Sequence, residues 1–227
     1  MRECDLSRQS VRELNEALHD LREEDAALPW LVREPRGAHA VACGLRVPVR
    51  VEVHGHVGYY CAGMNQRATV IVQGNAGTGV AENMMSGRVV VRGAASQSAG
   101  ATGHGGLLVI EGDAAARCGI SMKGIDIVVR GSVGHLSAFM AQAGNLVVCG
   151  DAGDALGDSI YEARLFVRGS VKSLGADCIE KEKRAEHLAT LTKLLADAGI
   201  DADARDFRRY GSARKLYHFH VDHASSY

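Results

Sequence analysis

The chain has 227 residues, enough for one sizeable domain with small appendages. Its 26 Lys and Arg stand against 27 Asp and Glu, a net charge of −1, which argues against the basic surface that nucleic acid or an anionic membrane demands. No apolar run approaches a membrane span, and the opening MRECDLSRQS is too polar for a secretion signal, so a cytoplasmic protein is expected.

Residues 1–45 read as a helical lead-in. Ser10-Val11-Arg12-Glu13 has capping-box spacing, and Val11, Leu14, Leu18 and Leu21 follow at helical intervals, which predicts a helix over about residues 8–24.

Residues 46–176 carry an internal repeat. Short aliphatic runs end two positions before a glycine, and those glycines are Gly55, Gly74, Gly93, Gly112, Gly131, Gly150 and Gly169, each 19 residues after the last. Four residues before each glycine stand Val51, Val70, Val89, Leu108, Ile127, Leu146 and Leu165. Two before stand Val53, Val72, Val91, Ile110, Val129, Val148 and Val167. Apolar positions two apart lie on one face of a strand. Small residues recur three after the glycine (Gly58, Gly77, Ser96, Ala115, Gly134, Gly153, then Lys172) and seven after (Ala62, Ala81, Gly100, Gly119, Ala138, Gly157, Ala176), marking corners of close backbone approach. A unit of this kind buries its apolar face only by stacking on its neighbours, about 4.8 Å apart. The predicted fold is all-β with helical ends: a right-handed parallel β-helix of seven 19-residue coils, flanked by N- and C-terminal α-helices. The rival left-handed hexapeptide helix fails, because 19 is not a multiple of six and no hexad runs inside the repeat.

The column three before each glycine (Glu52, Ile71, Val90, Val109, Val128, Val147, Phe166) should point outward, yet all but Glu52 are apolar. Such a stripe must be covered, by the chain's own terminal helices, by a partner subunit, or by both on different coils. In the next outward column Arg92, Glu111 and Arg130 alternate in sign, which favours pairing between coils.

Residues 177–227 read as a helical, docking extension. Asp177 and Glu180 open an amphipathic stretch bearing Leu188, Leu191, Leu195 and Ala198, with Gly199 as its stop. Capping an open end of the stack is the expected role of one of the helices. The tail from Arg205 to Tyr227 is too apolar to be free and is expected to dock.

Chemistry-bearing motifs are few. His218, His220 and His223 form H-x-H-x-x-H, with no cysteine pair and only Asp222 as an acidic companion, and read as packing or interface histidines rather than metal ligands. His54, His56, His104 and His135 fall inside the coils and read as ladder or corner residues. GNAGTG (74–79) and GATGHGG (100–106) lack the Walker lysine and recur in phase with the other coils. Cys4, Cys43, Cys61, Cys118, Cys149 and Cys178 form no C-x-x-C pair and read as free thiols; Cys4 as an N-terminal nucleophile would need removal of Met1, Arg2 and Glu3. No catalytic, cofactor-binding or metal-binding residue is assigned. A stand-alone β-helix enzyme, such as a polysaccharide lyase, remains a remote alternative, since no Asp cluster with Lys or Arg recurs at one phase.

The strand-G-x-x-G repeat through residues 51–176 resembles the glycine-repeat (GXGXG) β-helix domain at the C-terminus of the glutamate synthase large subunit, a relative of which forms one subunit of formylmethanofuran dehydrogenase. With SVRELNEALHDL leading in and YGSARKLYHFHVDHASSY closing, the chain is most similar to the B subunits of N-methylglutamate synthases, the methylamine–glutamate N-methyltransferases. The resemblance implies a non-catalytic scaffold. Its partners would be a class II glutamine amidotransferase-like subunit and an FMN-binding, iron–sulfur glutamate synthase-like subunit. FMN and the cluster would sit in the partner, with no cofactor in this chain. It also implies alternatives: a formylmethanofuran dehydrogenase-type complex, or an ammonia-using glutamate synthase. Lys172, Ser96 and Ala115 depart from the small-corner pattern and read as tolerated corners.

Overall fold

A computed structural model describes residues 1–215. Seven coils stack as a parallel β-helix through β3 (Arg50–His54), β4 (Thr69–Val72), β5 (Arg88–Val91), β6 (Leu107–Ile110), β7 (Lys123–Val129), β8 (Ala143–Val148) and β9 (Arg164–Val167). Strands pair at the repeat interval, so Val53 sits beside Val72 and Val72 beside Val91. Both inward aliphatic columns are completely buried from Val51 and Val53 to Leu165 and Val167. A second ladder of single bridges joins Val57, Ala76, Ala95, Ala114, Val133, Ala152 and Val171, two residues after each glycine. Every coil is therefore hydrogen-bonded to its neighbours along more than one side.

The repeating glycines owe their identity to proximity. From Gly93 to Gly169 each donates its N–H to the glycine carbonyl one coil earlier, as in Gly112 to Gly93 (2.9 Å) and Gly150 to Gly131 (2.9 Å). A Cβ on Gly131 would lie 2.1 Å from Asp113 Oδ1 and 2.8 Å from the Gly112 carbonyl. Asp113 is there because its carboxylate accepts the N–H of Ser132, one coil on (2.7 Å). The same ladder links His56 to Asn75, Asn75 to Ala94, Ser132 to Asp151 and Asp151 to Ser170. The small-residue column seven after the glycine shares a backbone conformation. Ala62, Ala81, Gly100, Gly119, Ala138 and Gly157 all have left-handed backbone, with φ between 53° and 69°.

The lead-in is more than helical. β1 (Arg2–Asp5) and β2 (Trp30–Arg33) extend the sheet in parallel, β2 pairing Trp30 with Val51. That interval is 21 residues, and Glu34, at φ 52°, follows β2 where Gly55 follows β3, so a search for glycines in register passes over this turn. Helix α1 (Val11–His19) keeps the predicted capping box, with Glu13 N–H donating to Ser10 Oγ (3.2 Å) and Ser10 N–H to Glu13 Oε2 (2.7 Å), but is shorter than residues 8–24. It closes the core: Leu14 and Leu18 are buried against the same cluster as Val41 and Leu45. Asn15 and His19 meet backbone groups of the end turn, Asn15 at the Ala40 carbonyl and the Ala42 N–H, His19 at the Cys43 carbonyl (2.7 Å). These are groups that a further coil would otherwise have satisfied.

At the other end the second helix starts later than Asp177. Residues Cys178–Lys181 form β10, and α2 runs Ala185–Ala198, closed by Gly199 at φ 69°. The reason is long-range: β11 (Arg208–Ser212) inserts antiparallel between β9 and β10 and draws residues 178–181 into the sheet. The tail thus docks as far as residue 215, where the Lys215 N–H donates to Asp177 Oδ1 (2.8 Å), while residues 216–227 lie outside the described region. Helix α2 lies along the outward stripe. Leu191, Leu194, Leu195, Ala198 and Phe207 form a second core with Ile71, Val90, Val109, Val128, Val147 and Phe166. Of the two coverings expected for the stripe, the chain itself supplies one. Among the described residues no helix is long and apolar enough to cross a membrane.

Candidate functional site

His56 accepts the Asn75 N–H through Nδ1 (2.9 Å), a ladder contact, and His54 stands 3.6 Å from Glu52. The H-x-H-x-x-H group of His218, His220 and His223 lies outside the described residues. Among the described residues no group of three or more His, Cys, Asp or Glu side chains is arranged to hold a metal. The two glycine-rich segments serve the stack. A Cβ on Gly77 would lie 2.6 Å from the Gly58 carbonyl carbon, and one on Gly103 would strike Ile125.

All six cysteines are buried and free. Burial pushes the Cys43 thiol up to about 11 and those of Cys118 and Cys178 up to about 12, so each stays a protonated, unreactive thiol at neutral pH. Of the alternating charges, Arg92 pairs with Glu111; Arg168, at the same phase further along the stack, donates to the Cys149 carbonyl (2.9 Å).

The surface feature with the character of a contact site is a groove of about 670 Å³ at the corner beyond the left-handed column. Met64, Met85, Asn83, Gln66, Ser86 and His104 line it, together with Arg67, which is ion-paired to Glu23. Met64 is 47% and Met85 49% exposed. Their wall is firm: Asn83 donates to Tyr60 Oη (3.0 Å) and accepts from Thr102 Oγ1 (2.6 Å), tying three successive coils together. Flexible, polarisable thioethers on a rigid base suit a protein contact rather than bond-making chemistry. The sequence reading passed over these methionines. Their signal was available, because Met64 and Met140 share the position nine after the glycine, next to a buried column, and both are exposed.

No family model matches the chain, and no solved structure matches it. Protein GlxC of Rhizobium meliloti (strain 1021) is 64% identical over 224 residues, which is 98% of this chain and 98% of that protein. Identity of that extent reaches from the lead-in through every coil to the extension, and the chain belongs to the family of Protein GlxC.

Proposed function

We propose that this chain is a non-catalytic structural subunit of a glutamate-synthase-like complex, holding an amidotransferase-like subunit and an FMN-binding synthase-like subunit in fixed relation. The specific reaction proposed is that of N-methylglutamate synthase, in which methylamine and L-glutamate yield N-methyl-L-glutamate and ammonia. The observation that carries the reading is the stack itself: seven coils in constant register, hydrogen-bonded along more than one side, bearing an exposed methionine groove on a braced wall. The resemblance of residues 51–176 to the glycine-repeat domain of glutamate synthases supports the choice of complex. Two reactive centres exchanging a small amine need fixed geometry, because displacement of about an ångström costs orders of magnitude in rate. A cross-linked rod supplies it.

The test is co-expression of the full chain with both partner types, followed by purification and an assay for N-methylglutamate formed from methylamine and glutamate. A stable three-component complex that makes the product, together with an inert isolated chain, is the expected result. Turnover by the isolated chain, or its elution free of both partners, would sink the scaffold reading. The double variant Met64→Glu, Met85→Glu is expected to weaken retention of a partner about tenfold or more with the melting temperature unchanged.

A further inference from the structure

A second concavity, of about 580 Å³, opens at the C-terminal end of the rod, between the extension of the sheet and the start of α2. Its cations come from four elements: Arg164 on β9, Lys181 on β10, Arg209 on β11, and Arg184 at the cap of α2, joined by Arg214. Arg209 stands opposite Phe166 and Lys181 in the sheet register, so long-range pairing alone brings it to Arg164.

The acidic groups around the cleft are already engaged. Glu162 pairs with Arg214 (3.0 Å), Glu182 with Arg184 (3.4 Å), and Glu186 lies 3.5 Å from His187 Nε2. Lys181 donates to the Ser212 carbonyl (2.7 Å). Among the described residues that leaves two guanidiniums outside any ion pair, with Glu186 near enough to Arg209 to offset its charge in part. The Arg164 side chain has no hydrogen-bond or ion-pair partner among the described residues. Arg209 donates Nη1 to the Glu182 carbonyl (3.0 Å), while its Nε is buried and unpartnered. Burial, then the nearby Arg164 and Arg184, hold the Arg209 guanidinium below its ordinary pKa. Buried His187 is held low as well, by burial and by Arg209, and its Nδ1 accepts the Arg184 N–H (3.0 Å), which leaves the hydrogen on Nε2. A buried cationic donor without a partner is costly, and gathering like charges adds to the cost unless an anion completes the site.

We propose that this cleft binds a small multivalent oxyanion, a phosphate or a dicarboxylate, with Arg164 and Arg209 as its principal donors. Guanidinium forks match both oxyanions in bidentate geometry, and the volume is that of a small-molecule site rather than a flat protein contact. The proposal is independent of the scaffold reading, since it concerns other residues and the isolated full chain.

The experiment is titration calorimetry on the full chain with inorganic phosphate and, separately, malonate, against sodium chloride at matched ionic strength. Saturable one-site binding of phosphate, malonate or both is expected, and the arm that binds names the ligand class. R164Q and R209Q should each weaken it about tenfold or more. R92Q, which removes the same charge from the flank of the rod, should leave it unchanged. If R209Q does not fold, R164Q carries the comparison. Binding reproduced by chloride, or lost equally in R92Q, overturns the proposal. So does an outcome in which neither anion binds while a Glu-rich peptide does, which would make the cleft a protein contact.

Discussion

At the scale of single residues, two glycines that look alike in sequence do different work. Gly131 has no room for a methyl group, being walled by Asp113 Oδ1 and the Gly112 carbonyl, whereas Gly199 has open space and a left-handed backbone at φ 69°. Gly131→Ala should therefore cost about 2–3 kcal/mol or more, through displacement of a neighbouring coil, and Gly199→Ala about 1 kcal/mol, both read from urea denaturation midpoints. Equal costs would mean that the neighbouring coil yields to a methyl group and that stacking does not select the repeating glycine. The polar ladder offers a pH test. Hydrogen bonds from the N–H and hydroxyl of Ser170 hold the Asp151 carboxyl below its ordinary value of 3.8. Its contribution is present above that value and disappears as pH falls through the lowered, folded one. An Asp151→Asn chain should show a shallower loss of stability between pH 5 and pH 2 than the parent, in melts followed by circular dichroism. The glycines were legible in the sequence as a spacing. The His, Asn, Asp and Ser residues that follow them were not, because four residue types share one task and no single letter repeats.

Among the elements, the strands were the most legible and the helices the least placed. Each strand is an aliphatic run fixed by a period, and that pattern survives any local ambiguity. The start of α2 was drawn too early because Asp177 and Glu180 resemble a helix opening, while the sheet claims Cys178–Lys181 through pairing with β11, some thirty residues on. Local sequence carries no trace of that partner. The outward stripe was legible as something needing cover, and α2 supplies it with Leu191, Leu194 and Leu195. Leu191 is fully buried, so Leu191→Ala should destabilise the chain by about 2–4 kcal/mol. It should also raise binding of a hydrophobic dye as the stripe from Ile71 to Phe166 is uncovered. A loss below about 0.5 kcal/mol would mean that the helix rests on the sheet without holding to it. The arginine cleft was not legible, since Arg164, Arg184 and Arg209 belong to no common pattern and are gathered only by the antiparallel return of β11.

For the molecule as a whole, stability is spread along one dimension, each coil touching mainly its two neighbours. Excision of one complete repeat, residues 75–93, should leave a folded, cooperatively unfolding chain, because the glycine before the cut and the residue after it keep their phase. Removal of only nine residues from the same region should abolish cooperative unfolding in calorimetry, since every aliphatic beyond the cut would face the wrong side. The two ends are closed by unlike devices. Helix α1 plugs the first with Asn15 and His19, and a strand returning in the opposite sense finishes the other. A rod closed in this way also acts as a graduated ruler. Any two surface marks at the same phase stand apart by a whole number of steps of about 4.8 Å. Descent can lengthen or shorten that gap only by entire increments, never by a fraction, so spacing in this family should change in jumps.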